Sequence, residues 1–499
     1  MRKHIIYMLV AAGAVTAITG CKKFLETLPD NRTVVTTPEQ VEQLLTTAYP
    51  NRSYIPFCEA MSDNSEDKGN TTLTADPNTN AVNAQSYKWQ DVQFQDQDSP
   101  EGYFHACYNA IAAANQALEY SSGSDSAKYR AQRGEALVAR AYAHFMLVTL
   151  FAKAYDPATA ASDPGIPYVT EVEKHAFLNY ERGTVQSVYE NIESDLKTGL
   201  PLLQDKLYGD APKFHFTQQA AHAFATRFYL FKRDYNQVIA HAGEVFGSAV
   251  VANLLRNWNG TSAATNPIGY SASVLGFYGL QALYTRATEN ANILLQEAYT
   301  VWGGSYYSYR YGYGNKVFAQ FYQNLNVTGG TLALPYNTYG ATPQYYNVPK
   351  FYESTKDNDD KKYSVIPLFS MEEVLFSRAE AYARLGNYPS AVADLNNWIS
   401  RNVRNYAAGT HNISTVKAVA FYAPNTTDTT GSLVNATLFF KRVSYIHEGL
   451  RWFDILRLKL PVKHEYFTGG SDSLPPNDKK RLLQLPQEVV NAGMEMNPR

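Results

Sequence analysis

The sequence predicts a mainly α-helical protein, a scaffold of tetratricopeptide-like helix pairs carrying a large irregular, loop-rich insert. Three observations support this: long stretches with the 3.6-residue helical period, a helix–turn–helix pattern that recurs, and a central region where the period fades. The first helices are Tyr103 to Tyr120, with Phe104, Tyr108, Ile111 and Asn115 on one face, and Arg133 to Phe151, with Leu137, Ala141, Phe145 and Val148. The second stops before Asp156-Pro157 and the loop Asp163-Pro164-Gly165-Ile166-Pro167. Thr184 to Leu200 starts on a polar cap and ends at Gly199 and Pro201.

The recurrence comes next. Phe216 to Phe231 breaks at Arg233-Asp234 and resumes from Tyr235, and Met371 to Leu385 breaks at Gly386-Asn387 and resumes from Tyr388. In both, a small or β-branched residue follows the tyrosine, which lets the second helix pack closely on the first. From about 250 to 366 Gly, Asn, Thr and Tyr dominate, and we expect an irregular insert between scaffold segments at about 30–249 and 367–499. The polar run Ala407 to Thr437 reads as loop, and Phe439 to Leu458 as one helix. On that helix Glu448, Arg451, Asp454 and Arg457 alternate in sign at steps of three, the spacing of an ion-pair ladder. Arginine beside each carboxylate keeps it ionised, which suits docking rather than acid catalysis.

At the N-terminus a basic head (Arg2, Lys3, His4) precedes the uncharged apolar run Ile5 to Ala17, which has the dimensions of a signal-peptide core. It closes on Ile18-Thr19-Gly20-Cys21, similar to a bacterial lipobox with Thr19 in place of the usual Ser or Ala. Residues 1–20 are thus expected to be a lipoprotein signal peptide and 21–499 one domain, with Cys21 the lipidated anchor to the membrane. The formal net charge of −2 gives no reason to expect nucleic acid as a partner. Cys58 and Cys107 can form at most one disulfide, and two cysteines make neither a disulfide framework nor a zinc site.

Aromatic residues make up 13% of the chain, with 38 tyrosines, a residue whose apolar face and polar tip suit wet binding surfaces. Trp398 and Trp452 lie in periodic helices and are assigned to packing. Trp89, Trp258 and Trp302 lie in polar, irregular sequence and are candidates for ligand contact. Trp89 is followed by hydrogen-bonding groups at Gln90, Asp91, Gln93, Gln95 and Asp96. After Trp302, Tyr307, Tyr309, Tyr311 and Tyr313 alternate, so an extended chain places them on one face. Asp63 to Gly69 has a calcium-loop flavour, but its glycine is one place late and Thr74 stands where a bidentate glutamate is needed, so it reads as a solvated turn. No zinc helix motif, nucleotide-binding glycine loop or nucleophile elbow occurs, so no cofactor, metal or catalytic residue is nominated.

Several segments together resemble the SusD/RagB family of Bacteroidota. Tyr445-Ile446-His447-Glu448-Gly449-Leu450-Arg451-Trp452-Phe453-Asp454-Ile455-Leu456-Arg457 is similar to its E-G-x-R-x-x-D-L-x-R helix, and Arg378-Ala379-Glu380-Ala381 to its R-A-E-A helix. Asp394 to Arg401, Ala139 to Phe145, Gly165 to Val169, Cys21 to Glu26 and Leu485-Pro486 to Asn491 fit as well. Met496-Asn497-Pro498-Arg499 departs from the family's Gln-Asn-Pro-Gly-Tyr ending. The resemblance implies a SusD-like fold anchored by lipid on the outside of the outer membrane. It also implies a lid on a SusC-like TonB-dependent transporter that captures an oligosaccharide or another nutrient. The alternatives are a peptide-binding or protein-interaction scaffold and, further off, a surface glycoside hydrolase, which needs two carboxylates across a cleft.

Overall fold

The computed structural model describes residues 35, 37–69, 77–95, 97–122, 126–174, 180–258, 281, 283–305, 309–334, 336–339, 345–356, 361–424, 426 and 428–499. Cys21, the preceding signal segment and Tyr307 lie outside them. The described chain opens with α1 (Pro38–Leu45), α2 (Ile55–Met61), the two-residue strand β1 (Glu66–Asp67) and α3 (Pro77–Tyr87). The long helices follow. Ser99 caps α4 (Pro100–Tyr120) by accepting from the Gly102 amide, α5 spans Arg130–Phe151, and Thr184 and Ser187 form a reciprocal cap on α6 (Val185–Gly199).

Both recurring motifs are helix pairs. Between α7 (Gln218–Lys232) and α8 (Tyr235–Phe246), Arg233 takes a left-handed conformation and Asp234 caps the next helix through the Gln237 amide. Between α10 (Met371–Arg384) and α11 (Tyr388–Asn402) the left-handed residue is Gly386 and the cap is Asn387. Val238 and Ala391, each three places after the tyrosine, are buried where close helix packing requires them. Helices α4, α5 and α6 pack in sequence, α8 packs on α10, and α10 on α13 (Thr429–Ser444), around a continuous core.

The insert is less irregular than expected. Its spine is β2 (Asn292–Tyr299), antiparallel to β7 (Lys362–Ser370), with β6 (Glu353–Thr355) on the other edge of β7. β2 is buried along almost its whole length, so Ile293, Leu294 and Leu295 run together without the alternation that marks a half-exposed strand. β4 (Asn337–Tyr339) pairs with β5 (Tyr345–Asn347), and α9 spans Asn315–Tyr322. β3 (Tyr311–Gly312) pairs with β1, tying the insert to the N-terminal segment. A C-terminal hairpin, β8 (Val462–Glu465) and β9 (Ser471–Leu474), completes this face.

Three expectations are corrected. The run 407–437 contains α12 (Thr415–Tyr422) and the start of α13. The helix expected over Phe439–Leu458 is two, α13 and α14 (Leu450–Arg457), broken where His447 and Gly449 take positive φ. Buried Glu59 causes the break, its carboxylate accepting from the His447 amide at 2.9 Å and the Gly449 amide at 3.0 Å. The ladder is also dispersed. Only Asp454 and Arg457 pair with each other, while Glu448 binds Lys350 and Arg451 binds Asp63. Cys58 and Cys107, whose pairing the sequence left open, are buried free thiols, and burial pushes the Cys58 thiol well above its ordinary pKa.

Candidate ligand-binding face

Four rings from three separate segments form one continuous stack. Tyr311 lies 4.4 Å from Tyr87, Tyr87 lies 3.9 Å from His464 with the planes 1° apart, and His464 lies 4.3 Å from Trp89. Their polar tips fix the stack. The Tyr87 hydroxyl donates to the Glu465 carbonyl at 2.8 Å and the Trp89 indole to the Met61 carbonyl at 3.0 Å. Asn83 clamps the Tyr311 backbone from both sides, donating to its carbonyl and accepting from its amide. The His464 nitrogens face the Tyr87 and Ser62 carbonyls; burial lowers its pKa, and these two acceptors oppose that shift.

Beside the Tyr311 end lies a cleft of about 310 Å³ walled by β1, the start of α9 and the β8–β9 turn. Asp67 organises it. Its carboxylate takes a two-pronged bond from Arg310 (2.7 and 2.8 Å), and accepts from the Gly69 amide at 3.0 Å and the Phe467 amide at 3.1 Å. Burial raises the Asp67 pKa, but these donors outweigh it and hold the carboxyl below its ordinary value. The Phe467 ring lies against Gly69, where a Cβ would come within 3.0 Å of it, and remains 69% exposed. Glu66 accepts from the Lys316 amide at 2.8 Å, and its carboxylate occupies the space a side chain at Gly314 would need. Lys316 pairs with Glu465, and burial brings Lys68 down to about 7. The cleft thus offers one exposed aromatic plate beside amide, ammonium and carboxylate groups, the combination that the apolar C–H face and hydroxyl rim of a sugar require.

Beyond the Trp89 end is a second cleft, about 400 Å³, between residues 89–101 and the C-terminal segment. It gathers Gln90, Asp91, Gln93 and Gln95 on one wall, as the sequence around Trp89 suggested, and Arg499 donates to Asp91 at 2.7 Å. At its edge His105 lies 2.6 Å from Glu488 and 3.9 Å from Glu101. Among the described residues this is the one His/Cys/Asp/Glu group spaced to hold a metal.

The candidate aromatic residues are placed differently from expectation. Trp89, Trp258, Trp302, Tyr309 and Tyr311 are all buried, with Tyr311 the most exposed at 7%. Trp258 packs on Tyr284, Trp302 donates to the His447 carbonyl and takes the edge of Tyr309, and Tyr313 packs on Phe321. The polar tips of both Trp89 and Trp302 find partners inside the fold, so polar surrounding sequence did not mean an exposed ring. Of the set, the structure joins Trp89 and Tyr311 in one stack, at the edges of two clefts. The stretch 63–69 is likewise not a solvated turn: Asn64, Ser65, Asp67 and Lys68 are buried, and Asp63 binds Arg451 at 2.8 Å.

Sequence reading missed Tyr87, His464, Tyr466, Phe467 and Asp67. One signal was available, since two short runs flanking Tyr466-Phe467-Thr468-Gly469-Gly470 are a hairpin pattern with aromatic residues at its turn.

These features define a helix-pair scaffold with a loop-borne aromatic face. Residues 23–230 match the family SusD-like_3, described as "Starch-binding associating with outer membrane". The fold is that of the SusD superfamily. A superfamily protein from Bacteroides thetaiotaomicron VPI-5482 aligns over 93% of this chain and 100% of its own, with TM-score 0.66 and 16% identity. A putative sugar binding protein from Bacteroides vulgatus ATCC 8482 aligns over 93% and 99%, with TM-score 0.64 and 20% identity. A SusD-like carbohydrate binding protein from the same strain aligns over 92% and 97%, with TM-score 0.62 and 16% identity. No curated protein matches the chain. The resemblance to the SusD/RagB family read from the sequence therefore holds in the family match and in the fold.

Proposed function

We propose that this protein binds an oligosaccharide at the outer face of the outer membrane, through the cleft capped by Phe467, and delivers it to a SusC-like TonB-dependent transporter. The exposed Phe467 ring, seated on the Asp67 hub and rimmed by Lys316, Glu465 and Asn315, carries the reading. Trp89 and Tyr311 act from behind, holding the hairpin that presents the ring. The described family and the sugar-binding neighbours agree with a glycan ligand. Among the described residues no helix is long and apolar enough to cross a membrane, and attachment is assigned to a lipid on Cys21. The role is capture and release, with no bond made or broken.

The test is calorimetric binding to a panel of starch-, xylan- and mannan-derived oligosaccharides. Phe467→Ala should weaken the best ligand by about fivefold, since stacking on one aromatic face is worth about 1 kcal/mol. Unchanged affinity would remove this cleft from the function, and release of shortened sugars during the titration would replace binding by hydrolysis.

A further inference from the structure

A third cleft, about 460 Å³, opens between the C-terminal end of α1, the α4 face at Ala106–Ala110 and β2. It shares no lining residue with the two clefts flanking the ring stack. Its floor is a buried polar relay. The Phe216 amide donates to the Tyr49 hydroxyl at 2.7 Å, which donates to the Glu135 carboxylate at 2.7 Å. His215 Nδ1 donates to the same carboxylate at 2.8 Å. Glu135 is 1% exposed and belongs to α5, so the His215 ring is held by a rigid element, and Tyr208 stacks on it at 4.6 Å. Burial lowers the His215 pKa, but Glu135 and the nearby Glu42 more than offset it.

Nδ1 is committed to Glu135, which leaves Nε2 with no hydrogen-bond partner among the described residues, on a ring that lines the cleft. Phe214 supplies a half-buried aromatic wall one residue away. The Asn51 and Asn109 side-chain amides on the rim make no hydrogen bond among the described residues, so their donors and acceptors are available. The Thr46 and Thr47 hydroxyls give their protons to the Gln43 and Leu44 carbonyls and offer the cleft acceptors only. Among the described residues neither lysine nor arginine lines the cleft, and its one carboxylate on the rim, Glu297, pairs with Lys356. An anionic ligand would find no lysine or arginine among these lining residues, and the Glu135 carboxylate bonded to His215 would repel it.

We propose that this cleft is a second saccharide site, taking a short, neutral, hydroxyl-rich ligand between Phe214 and the His215 imidazole. An aromatic wall, a fixed ring nitrogen and two amides match a sugar's apolar face and its paired hydroxyls. The site rests on the glycan-binding reading above, and it adds a place where a chain engaged at Phe467, or a second chain, is held separately.

The full chain is titrated by calorimetry with maltotriose, xylotriose, mannotriose and chitotriose, as wild type, Phe467→Ala, Phe214→Ala and the double variant. Asn109→Ala, on an exposed helix face, guards against a folding defect in Phe214→Ala. A trisaccharide that Phe467→Ala still binds, and that Phe214→Ala and Asn109→Ala each weaken about fivefold or more, establishes the second site. Binding lost entirely in Phe467→Ala, or unaffected by both cleft substitutions, overturns it while leaving the first site intact. Binding sensitive to Phe214 and Asn109 but indifferent to Phe467 also keeps the second site, and the longer panel above decides the first. If no trisaccharide binds the wild type, the second site falls, and the longer panel above decides the first.

Discussion

Asp67 shows how one side chain sets the geometry of a surface. Three segments distant in sequence (residues 66–69, Arg310 and the Phe467 turn) meet at its two oxygens. Asp67→Asn keeps the shape but replaces one acceptor by a donor facing N–H groups. We expect a loss of about 1–3 kcal/mol in urea unfolding, together with weaker oligosaccharide binding. The sequence could not disclose this, because an acidic run is compatible with a solvated turn and its partners lie hundreds of residues away. His144 makes a pH prediction. Nδ1 donates to the Arg140 carbonyl at 2.9 Å and Nε2 accepts from the Val169 amide at 3.0 Å, which fixes the neutral ring. Burial takes its pKa down to about 3. The unfolded chain binds this proton near pH 6.5 and the folded chain does not, so the contribution is complete above pH 6.5 and is lost as pH falls toward 3. The acid limb of the stability–pH curve should therefore flatten in His144→Gln.

Among the elements, the long helices were legible because their apolar spacing, polar caps and Gly-Asn or Arg-Asp breaks are local signals. The interruption between α13 and α14 was not. Apart from Gly449, the residues from Tyr445 to Leu450 suit a helix, and the bend comes from Glu59, on a distant helix, claiming two amides. Gly449 sits at φ 71°, and a Cβ there would lie 3.0 Å from the Ile55 Cα. Gly449→Ala should cost about 2 kcal/mol from the backbone conformation and the forced separation of α2 from α14, read as a lower thermal midpoint. The strands of the insert were obscured for a different reason. β2 and β7 are covered on both faces, so the alternation that identifies a half-exposed strand is absent.

Over the whole molecule, the scaffold and insert share one apolar core, and buried ion pairs tie them further. Arg227 on α7 grips Glu373 at the start of α10 with 2.6 Å contacts and also donates to the Leu368 carbonyl on β7, so one guanidinium holds a helix pair, a sheet and the next helix pair. Arg227→Leu strands the buried Glu373 carboxylate and should remove about 3–5 kcal/mol from the unfolding free energy, much more than loss of an exposed pair such as Lys174–Glu119. The helix-pair plan was legible at this scale because it repeats, and the SusD-like architecture because several separate segments resemble that family. The candidate ligand face was only half legible: Trp89 and Tyr311 were singled out as exposed plates, and the structure buries both in the ring stack.

The ring stack also gives the protein an optical property. An indole laid against an imidazole is a fluorophore whose emission depends on that contact, with two phenols next in line to absorb and transfer excitation. His464 and Phe467 share one hairpin, so a ligand bound as proposed, pressing on the turn, moves the imidazole relative to Trp89. Binding at that turn would then be readable as a change in ultraviolet emission, without any attached label.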